Sequence, residues 1–108
     1  MSYRVETIEN FEREARRLKK KYRSLKAEIS ELIDDLEENP FLGVAMRDGF
    51  YKIRLGIRSK GKSKRSGARV VTCVRVVAET VYLVSIYDKS EQTDISDETL
   101  NRLLTEVP

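Results

Sequence analysis

The sequence predicts an α+β domain, with a helical hairpin packed on a small twisted antiparallel sheet of about four strands. Three observations lead to this class. The N-terminal half has an apolar period of three and four residues, which is typical of helix, and the C-terminal half has three blocks rich in β-branched residues. The length of 108 residues suits one core. We therefore expect one domain over residues 1–108.

The chain opens with a predicted strand and two predicted helices. The segment YRVETI, residues 3–8, alternates apolar and polar side chains and is read as a strand. A helical apolar stripe then runs from Phe11 to Leu36. One helix of about 26 residues would be roughly 39 Å long, which is too long for a small compact domain. We favour two helices that turn near KKKYRS, with Ser24 as N-cap of the second, while a self-associating coiled coil stays open because the spacing also fits heptads.

Three strands and a closing helix are predicted after Pro40, which ends the helical pattern. A connector with a turn at Asp48-Gly49 leads into FYKIRLGIR, where Lys52, Arg54 and Arg58 alternate with apolar residues. ARVVTCVRVVA is predicted to be the central strand and TVYLVSIYD the last one. DISDETLNRLL is predicted as a short helix capped by Ser96 or Asp94. The helices should cover one face of the sheet and leave polar side chains on the other.

The composition excludes several classes of site. The chain has no His and one cysteine, Cys73, so neither an internal disulfide nor a Cys/His zinc site within one chain can form. A catalytic triad with a histidine base is excluded as well. We find no signal peptide or membrane-spanning segment, and we expect a reducing cytoplasm, no membrane partner and no cofactor.

Positive charge is concentrated in the middle of the chain. Residues 49–78 contain nine Lys or Arg and no acidic residue, whereas residues 79–108 contain two basic and seven acidic residues. A run of Lys and Arg is often only a solvated surface or a guard against strand aggregation. Thirty residues without an acid favour a polyanionic partner instead, because phosphates relieve the mutual repulsion of the cations.

The predicted strands bring several cations to one face. Lys52, Arg54 and Arg58 are spaced by even numbers, and so are Arg69 and Arg75 on the next strand. Val71, Cys73 and Val77 share the parity of Arg69, so the face either contains an apolar patch or the strand contains a bulge. The rings of Phe50, Tyr51, Tyr82 and Tyr87 could stack on bases, although each is more typical of a core, and Cys73 is more typical of a buried apolar residue than of a nucleophile.

These residues resemble the RelE/ParE superfamily of bacterial toxins, and most closely the RelE-like (HigB-like) toxins of type II toxin–antitoxin modules. The resemblance is carried by YKIRL, the basic glycine-containing loop, ARVV and the closing YDKSEQTDIS, within an order of strand, two helices and sheet. It implies a ribosome-dependent endoribonuclease that cuts mRNA without a metal, by attack of the ribose 2′-hydroxyl on the adjacent phosphate. It also implies a cognate antitoxin, the ribosome and mRNA as partners.

The resemblance also implies roles for individual residues. Lys52 would be a general base or a phosphate-binding cation, Arg54 its paired cation, and Arg69 would stabilise the transition state, with Tyr87 and Lys89 as weaker catalytic candidates. Binding of ribosomal RNA or of the message would fall to further cations: Arg58, Lys60, Lys62, Lys64, Arg65 and Arg75. The sequence departs from the best-known pattern at Ala68, Ser90 and Ile95.

Two other functions remain open on the same fold. A ParE-like gyrase inhibitor would act by binding a protein, and a non-catalytic module would bind nucleic acid or an antitoxin without turnover. Lys52, Arg54 and Arg69 favour RNA chemistry, because Arg is suited to bidentate phosphate contacts and neighbouring cations can lower the pKa of a lysine.

Overall fold

The computed structural model describes residues 2–61 and 67–108 of the chain. Its helices and strands follow the predicted order. They are β1 (Arg4–Thr7), α1 (Glu9–Lys21), α2 (Leu25–Glu38), β2 (Val44–Ala45), β3 (Phe50–Leu55), a 3₁₀ turn at Arg58–Lys60, β4 (Ala68–Arg75), β5 (Thr80–Asp88) and α3 (Asp97–Leu104). No helix among these described residues is both long enough and apolar enough to cross a membrane.

The strands form one sheet in the order β1-β5-β4-β3-β2. Strands β2 to β5 are antiparallel neighbours, which confirms the predicted α+β class, and β4 is central as predicted. The structure adds two features. The connector contributes the short edge strand β2, and β1 pairs with β5 in parallel, so the sheet has five strands and is mixed.

The helical hairpin is confirmed, and its turn lies where the sequence placed it. No Gly or Pro breaks the helix between α1 and α2. Tyr22 instead adopts an extended conformation, and its buried side chain donates a hydrogen bond from the hydroxyl to the buried carboxylate of Asp88 at the end of β5. Ser24 occupies the N-cap position of α2, but its hydroxyl donates to Glu28 rather than capping the helix.

Each face of the sheet carries its own apolar core. On one face, α1 and α2 pack on side chains that include Ile53, Val70 and Ile86. On the other face, α3 packs on Phe50, Val71, Cys73 and Tyr82. The expectation that helices cover one face only, with polar side chains on the opposite face, is therefore wrong for the half of the sheet beneath α3. This packing also answers the parity question, because Val71 and Cys73 are covered by α3 while Val77 lies fully exposed in the β4–β5 turn.

The sequence analysis allowed for a bulge in β4, but the structure has the bulge in β5. Val71 is paired with Ser85 and Thr72 with Leu83, so Val84 is an extra residue. Helix α1 satisfies the polar groups around it: Asn10 donates to the Val84 carbonyl at 2.9 Å, and Glu14 accepts from the Ser85 hydroxyl at 2.8 Å. The extra residue reverses the alternation of side chains in the last part of the strand.

Candidate functional site

The candidate site begins as a row of side chains across three strands. Arg54 of β3 lies directly opposite Arg69 of β4, and Arg69 lies directly opposite Tyr87 of β5. Directly opposed residues project from the same face, so the three side chains share the face on which α3 packs. Two arginines placed opposite each other repel, and ordinary sheet stability gives no reason for this pairing.

Lys52 extends this row along β3. It lies two residues from Arg54 and is paired with Val71, so its side chain points to the same face. The structure therefore brings Lys52, Arg54 and Arg69 together; the even spacing predicted the common face of Lys52 and Arg54, and the pairing of β3 with β4 adds Arg69. Lys52 also forms an ion pair that the sequence prediction did not include, because its Nζ lies 2.8 Å from Oδ1 of Asp94.

Asp94 is the acidic member of the site. Its carboxylate accepts hydrogen bonds from Lys52 and from the backbone N–H of Ile95, and both interactions lower its pKa. The side chain of Asp94 is 65% exposed and that of Lys52 is 29% exposed. A pair this accessible to water contributes little to stability, on the order of 0–1 kcal/mol. The sequence analysis treated Asp94 only as a possible helix cap, whereas Ser96 caps α3 by accepting from the Thr99 N–H.

Arg69 and Tyr87 are the buried members of the site. Arg69 is 6% exposed and donates to the carbonyl of Ala68 at 3.1 Å. Tyr87 is 3% exposed, and its hydroxyl has no hydrogen-bond partner within the part of the chain that the structure describes. Burial raises the pKa of the Tyr87 phenol, the negative charge of Asp94 raises it further, and Arg69 opposes both effects.

Lys89 lies two residues after Tyr87, at the margin of the site. Its Nζ donates to the carbonyl of Thr93 at 2.9 Å, which closes a short loop within residues 89–96. Its backbone N–H donates to the carbonyl of Gly67. In this structure Lys89 therefore supports the loop that precedes α3.

Arg58 does not belong to this face. The prediction that it continues the alternation of β3 is wrong, because β3 ends at Leu55 and Arg58 begins a 3₁₀ turn. Its backbone N–H donates to the carboxylate of Glu28 at 2.7 Å, and its guanidinium lies 3.7 Å from Glu28 and 3.5 Å from Glu31. Glu28 is 3% exposed, so a buried acid of α2 turns Arg58 toward the helical hairpin.

The other predicted RNA-binding residues fall in different places. Arg75 shares the parity of Arg69 but lies at the far end of β4, roughly 20 Å away by the rise of a strand, where its Nε donates to the carbonyl of Pro108. The apolar cluster beneath α3 lies between them. Lys62, Lys64, Arg65 and the side chain of Lys60 lie outside the described residues.

A groove of about 700 Å³ opens between α2 and the edge of the sheet. Lys52 and Arg54 border it on the strand side, and Glu31 and Asp35 border it on the helix side. The acids on the helix make it unfavourable for a polyanion. The candidate site is therefore the sheet face with Lys52, Arg54 and Arg69, and not this groove.

The aromatic candidates and the cysteine are mainly core residues. Phe50, Tyr82 and Tyr87 are buried, and Tyr51 is partly buried against a neighbouring ring, that of Phe41. Cys73 is fully buried, and burial raises the pKa of its thiol. A thiol with a raised pKa is a poor nucleophile, in agreement with the expectation of an apolar role.

A second cationic surface, on α1 and the turn that follows it, was missed because residues 1–48 are nearly neutral in sum. The exposed side chains of Arg16, Lys19, Lys20 and Arg23 have no ion-pair partner within residues 2–61 and 67–108. Helix α1 packs on the sheet face opposite the candidate site. Plotting the charges of α1 on a helical wheel would have found this surface, because basic residues outnumber acidic ones on the solvent side of the helix and Glu14 faces the sheet.

No family model matches the sequence. Solved structures do match over nearly the whole chain. A free-state mutant of the Escherichia coli toxin RelE is 19% identical, with 100% of each chain covered and a TM-score of 0.64. The isolated E. coli RelE toxin is 17% identical, covering 98% of this chain and 100% of that one with a TM-score of 0.61.

The toxin–antitoxin complex RelBE2 from Mycobacterium tuberculosis is a further match. It is 18% identical, covers 82% of this chain and 92% of the matched one, and has a TM-score of 0.60. At these identities the likeness establishes the fold. The chain has the RelE-like toxin fold, which confirms the fold that the sequence resemblance predicted.

Proposed function

We propose that this protein is the toxin of a type II toxin–antitoxin module and acts as a ribosome-dependent mRNA endoribonuclease. One observation carries the proposal: Arg54 and Arg69 are directly opposed across β3 and β4, and Lys52 lies on the same face. Like charges opposite each other cost stability, and an anion between them offsets that cost. The RelE-like fold supports the same function.

The chemistry requires few protein groups. The 2′-oxygen of the ribose forms a bond to the adjacent phosphorus, and the bond from phosphorus to the 5′-oxygen of the next nucleotide breaks. The products are a 2′,3′-cyclic phosphate and a free 5′-hydroxyl. A base must take the proton of the 2′-hydroxyl, an acid must supply one to the leaving oxygen, and cations must stabilise the charge that builds on the phosphate.

The candidate site offers groups for each task. Arg54 and Arg69 are suited to the phosphate oxygens, because a guanidinium donates two parallel hydrogen bonds to such oxygens. Lys52 serves either as a further phosphate-binding cation or as the base. Tyr87 lies next to Arg69 and has a free hydroxyl within the described part of the chain, so it is the candidate acid.

Partners follow from the same proposal. The match to a RelBE2 toxin–antitoxin complex supports a cognate antitoxin as the protein partner. The ribosome is the proposed site of action, with contacts from the basic residues 58–65 and from the exposed cations of α1. Two cationic surfaces on opposite faces of the sheet suit a protein wedged between RNA elements, because each surface then neutralises its own set of phosphates.

Arg54→Ala tests the proposal in a cell-free translation reaction in which mRNA cleavage is mapped by primer extension. Arg54 is exposed and has no ion-pair partner in the described residues, so its loss should leave folding intact. We expect the wild type to cut mRNA on ribosomes and Arg54→Ala to cut about 10²-fold more slowly. Arg102→Ala, which removes an exposed arginine on α3, is the matched control and should cut at the wild-type rate.

Intact mRNA at ribosome-saturating concentrations of the wild type would refute the enzymatic proposal. A supercoiling assay with gyrase then distinguishes a ParE-like inhibitor from a binding module. Inhibition of gyrase would identify the former. Ribosome or antitoxin binding without cleavage and without gyrase inhibition would identify the latter.

A further inference from the structure

The segment between β5 and α3, residues 89–96, lies across the candidate site. We call it the tail strap. It leaves the end of β5, and its Asp94 reaches Lys52 of β3. Because β4 lies between β5 and β3 in the sheet, the strap crosses β4 near Arg69. Ile95 joins the same buried cluster as Tyr87, which fixes the strap on this face.

We propose that Asp94 occupies the place of a substrate phosphate on Lys52, so that RNA must displace the tail strap in order to bind. This inference rests on the proposed function. A carboxylate and a phosphodiester both present anionic oxygens, and Oδ1 of Asp94 already lies 2.8 Å from Nζ of Lys52. Only one of the two anions can occupy that position.

The ion pair between Lys52 and Asp94 can be displaced by a phosphate. The Asp94 side chain is 65% exposed, so solvent screens its attraction to Lys52. A phosphate on this face contacts Lys52 and the two arginines together, whereas within residues 2–61 and 67–108 the Asp94 carboxylate accepts from Lys52 and from the N–H of Ile95. A phosphate therefore gains more donors here than the Asp94 carboxylate loses, while the ion pairs of Glu91 with Arg17 at 2.8 Å and with Lys21 at 3.2 Å hold the start of the strap on α1.

The buried hydroxyl of Tyr87 is an independent sign that the strap opens. A buried phenol usually donates to a neighbouring acceptor, yet this hydroxyl has no partner in residues 2–61 and 67–108. The negative charge of Asp94 acts on it, since it raises the pKa of the phenol. Displacement of the strap frees Lys52 and gives Tyr87 access to the leaving oxygen in the same movement.

Binding of an uncleavable RNA tests the competition for Lys52. The probe is a fluorescent single-stranded oligonucleotide with 2′-O-methyl groups, and its affinity is measured by anisotropy at fixed salt. Asp94→Asn removes the charge and keeps an acceptor for the Ile95 N–H. Glu98→Gln is the control, because it makes the same change in net charge at an exposed position of α3 that forms no ion pair with the described part of the chain.

We expect Asp94→Asn to bind the oligonucleotide about fivefold more tightly than Glu98→Gln does. The difference should vanish when Lys52→Ala is added to both variants. Equal affinities of the two variants, a difference that survives in the Lys52→Ala background, or no binding by Asp94→Asn would each overturn the competition.

Chemical labelling tests the strap without RNA. Nitration of tyrosines, mapped by mass spectrometry, should proceed several-fold faster at Tyr87 in Asp94→Asn than in Glu98→Gln, with Tyr3 and Tyr51 unchanged. Equal rates at Tyr87 would overturn the opening of the strap. A protein with this charge-specific response that leaves mRNA intact would refute the proposed function alone, and a protein that cuts mRNA without the response would refute this inference alone.

Discussion

At the scale of single residues, the site places polar groups where folding alone would not place them. Arg54 is opposed by Arg69, and the Tyr87 hydroxyl is buried without a partner in the described residues. Each arrangement costs stability, because like charges repel and an unsatisfied buried hydroxyl loses its hydration. Locally destabilising arrangements of this kind are common at functional sites.

Tyr87→Phe tests whether the buried hydroxyl is free. Its removal should raise the free energy of unfolding by about 1 kcal/mol, since an unsatisfied buried polar group costs about 1–3 kcal/mol and relaxation recovers part of that. Urea unfolding provides the measurement. Cleavage of mRNA should fall at the same time if Tyr87 supplies the proton.

Tyr22→Phe is the matched control with the opposite sign. The Tyr22 hydroxyl donates to the buried Asp88 carboxylate, so its loss should lower the free energy of unfolding by about 1–3 kcal/mol. A Tyr87→Phe variant that is destabilised as much as Tyr22→Phe would mean that the Tyr87 hydroxyl has a partner.

At the scale of elements, the bulge in β5 decides which side chains reach the site. Val84 packs in the cluster beneath α3, and Ile86 packs against α1 and α2. With regular alternation both residues would share one face, and Tyr87 would point away from Arg69. The bulge reverses the phase and turns Tyr87 toward Arg69, which couples helix α1 to the site through Asn10 and Glu14.

Asn10→Ala tests this coupling. Asn10 is 3% exposed and donates to the Val84 carbonyl, so its loss leaves a buried acceptor unsatisfied. The free energy of unfolding should fall by about 1–3 kcal/mol in urea titrations. Asn39→Ala, at an exposed asparagine after α2, should change it by less than about 0.5 kcal/mol. Equal effects of the two changes would mean that the bulge does not depend on Asn10.

At the scale of the whole molecule, charge is separated although the net charge is only +3. One sheet face carries Lys52, Arg54 and Arg69. The other face is covered by α1, whose solvent side carries the second set of exposed cations. Acidic residues concentrate instead on α2 and in the C-terminal part of the chain. A polyanion such as ribosomal RNA would therefore meet the molecule in defined orientations.

Neutralising α1 tests the role of its surface. The triple change Arg16→Gln, Lys19→Gln and Lys20→Gln should make log affinity for ribosomes less steep against log salt concentration, by about 0.7–0.9 for each lost phosphate contact. Cleavage at saturating protein should stay unchanged, because the triple change leaves the proposed catalytic face with Lys52, Arg54 and Arg69 intact. Lys26→Gln, an exposed lysine of α2, is the control. An unchanged slope in the triple variant would show that α1 does not touch RNA.

The order of elements, the helical hairpin and the common face of Lys52 and Arg54 could all be predicted from the amino-acid sequence. These features depend on local periods of side chains, which the backbone imposes over a few residues. The position of the hairpin turn followed from the length limit of a small domain, and its anchor, Tyr22 on Asp88, joins residues far apart in the chain.

The rest of the site depends on contacts between parts of the chain that are far apart in sequence. The bulge at Val84, the turn of Arg58 toward Glu28 and the ion pair of Lys52 with Asp94 each join residues that are distant in sequence. A local pattern cannot report them, because one extra residue in a strand or one buried carboxylate on another element redirects side chains whose own spacing is unchanged. The cations of the site can thus be identified from the sequence, whereas their partners and the orientation of Tyr87 are set by packing between elements.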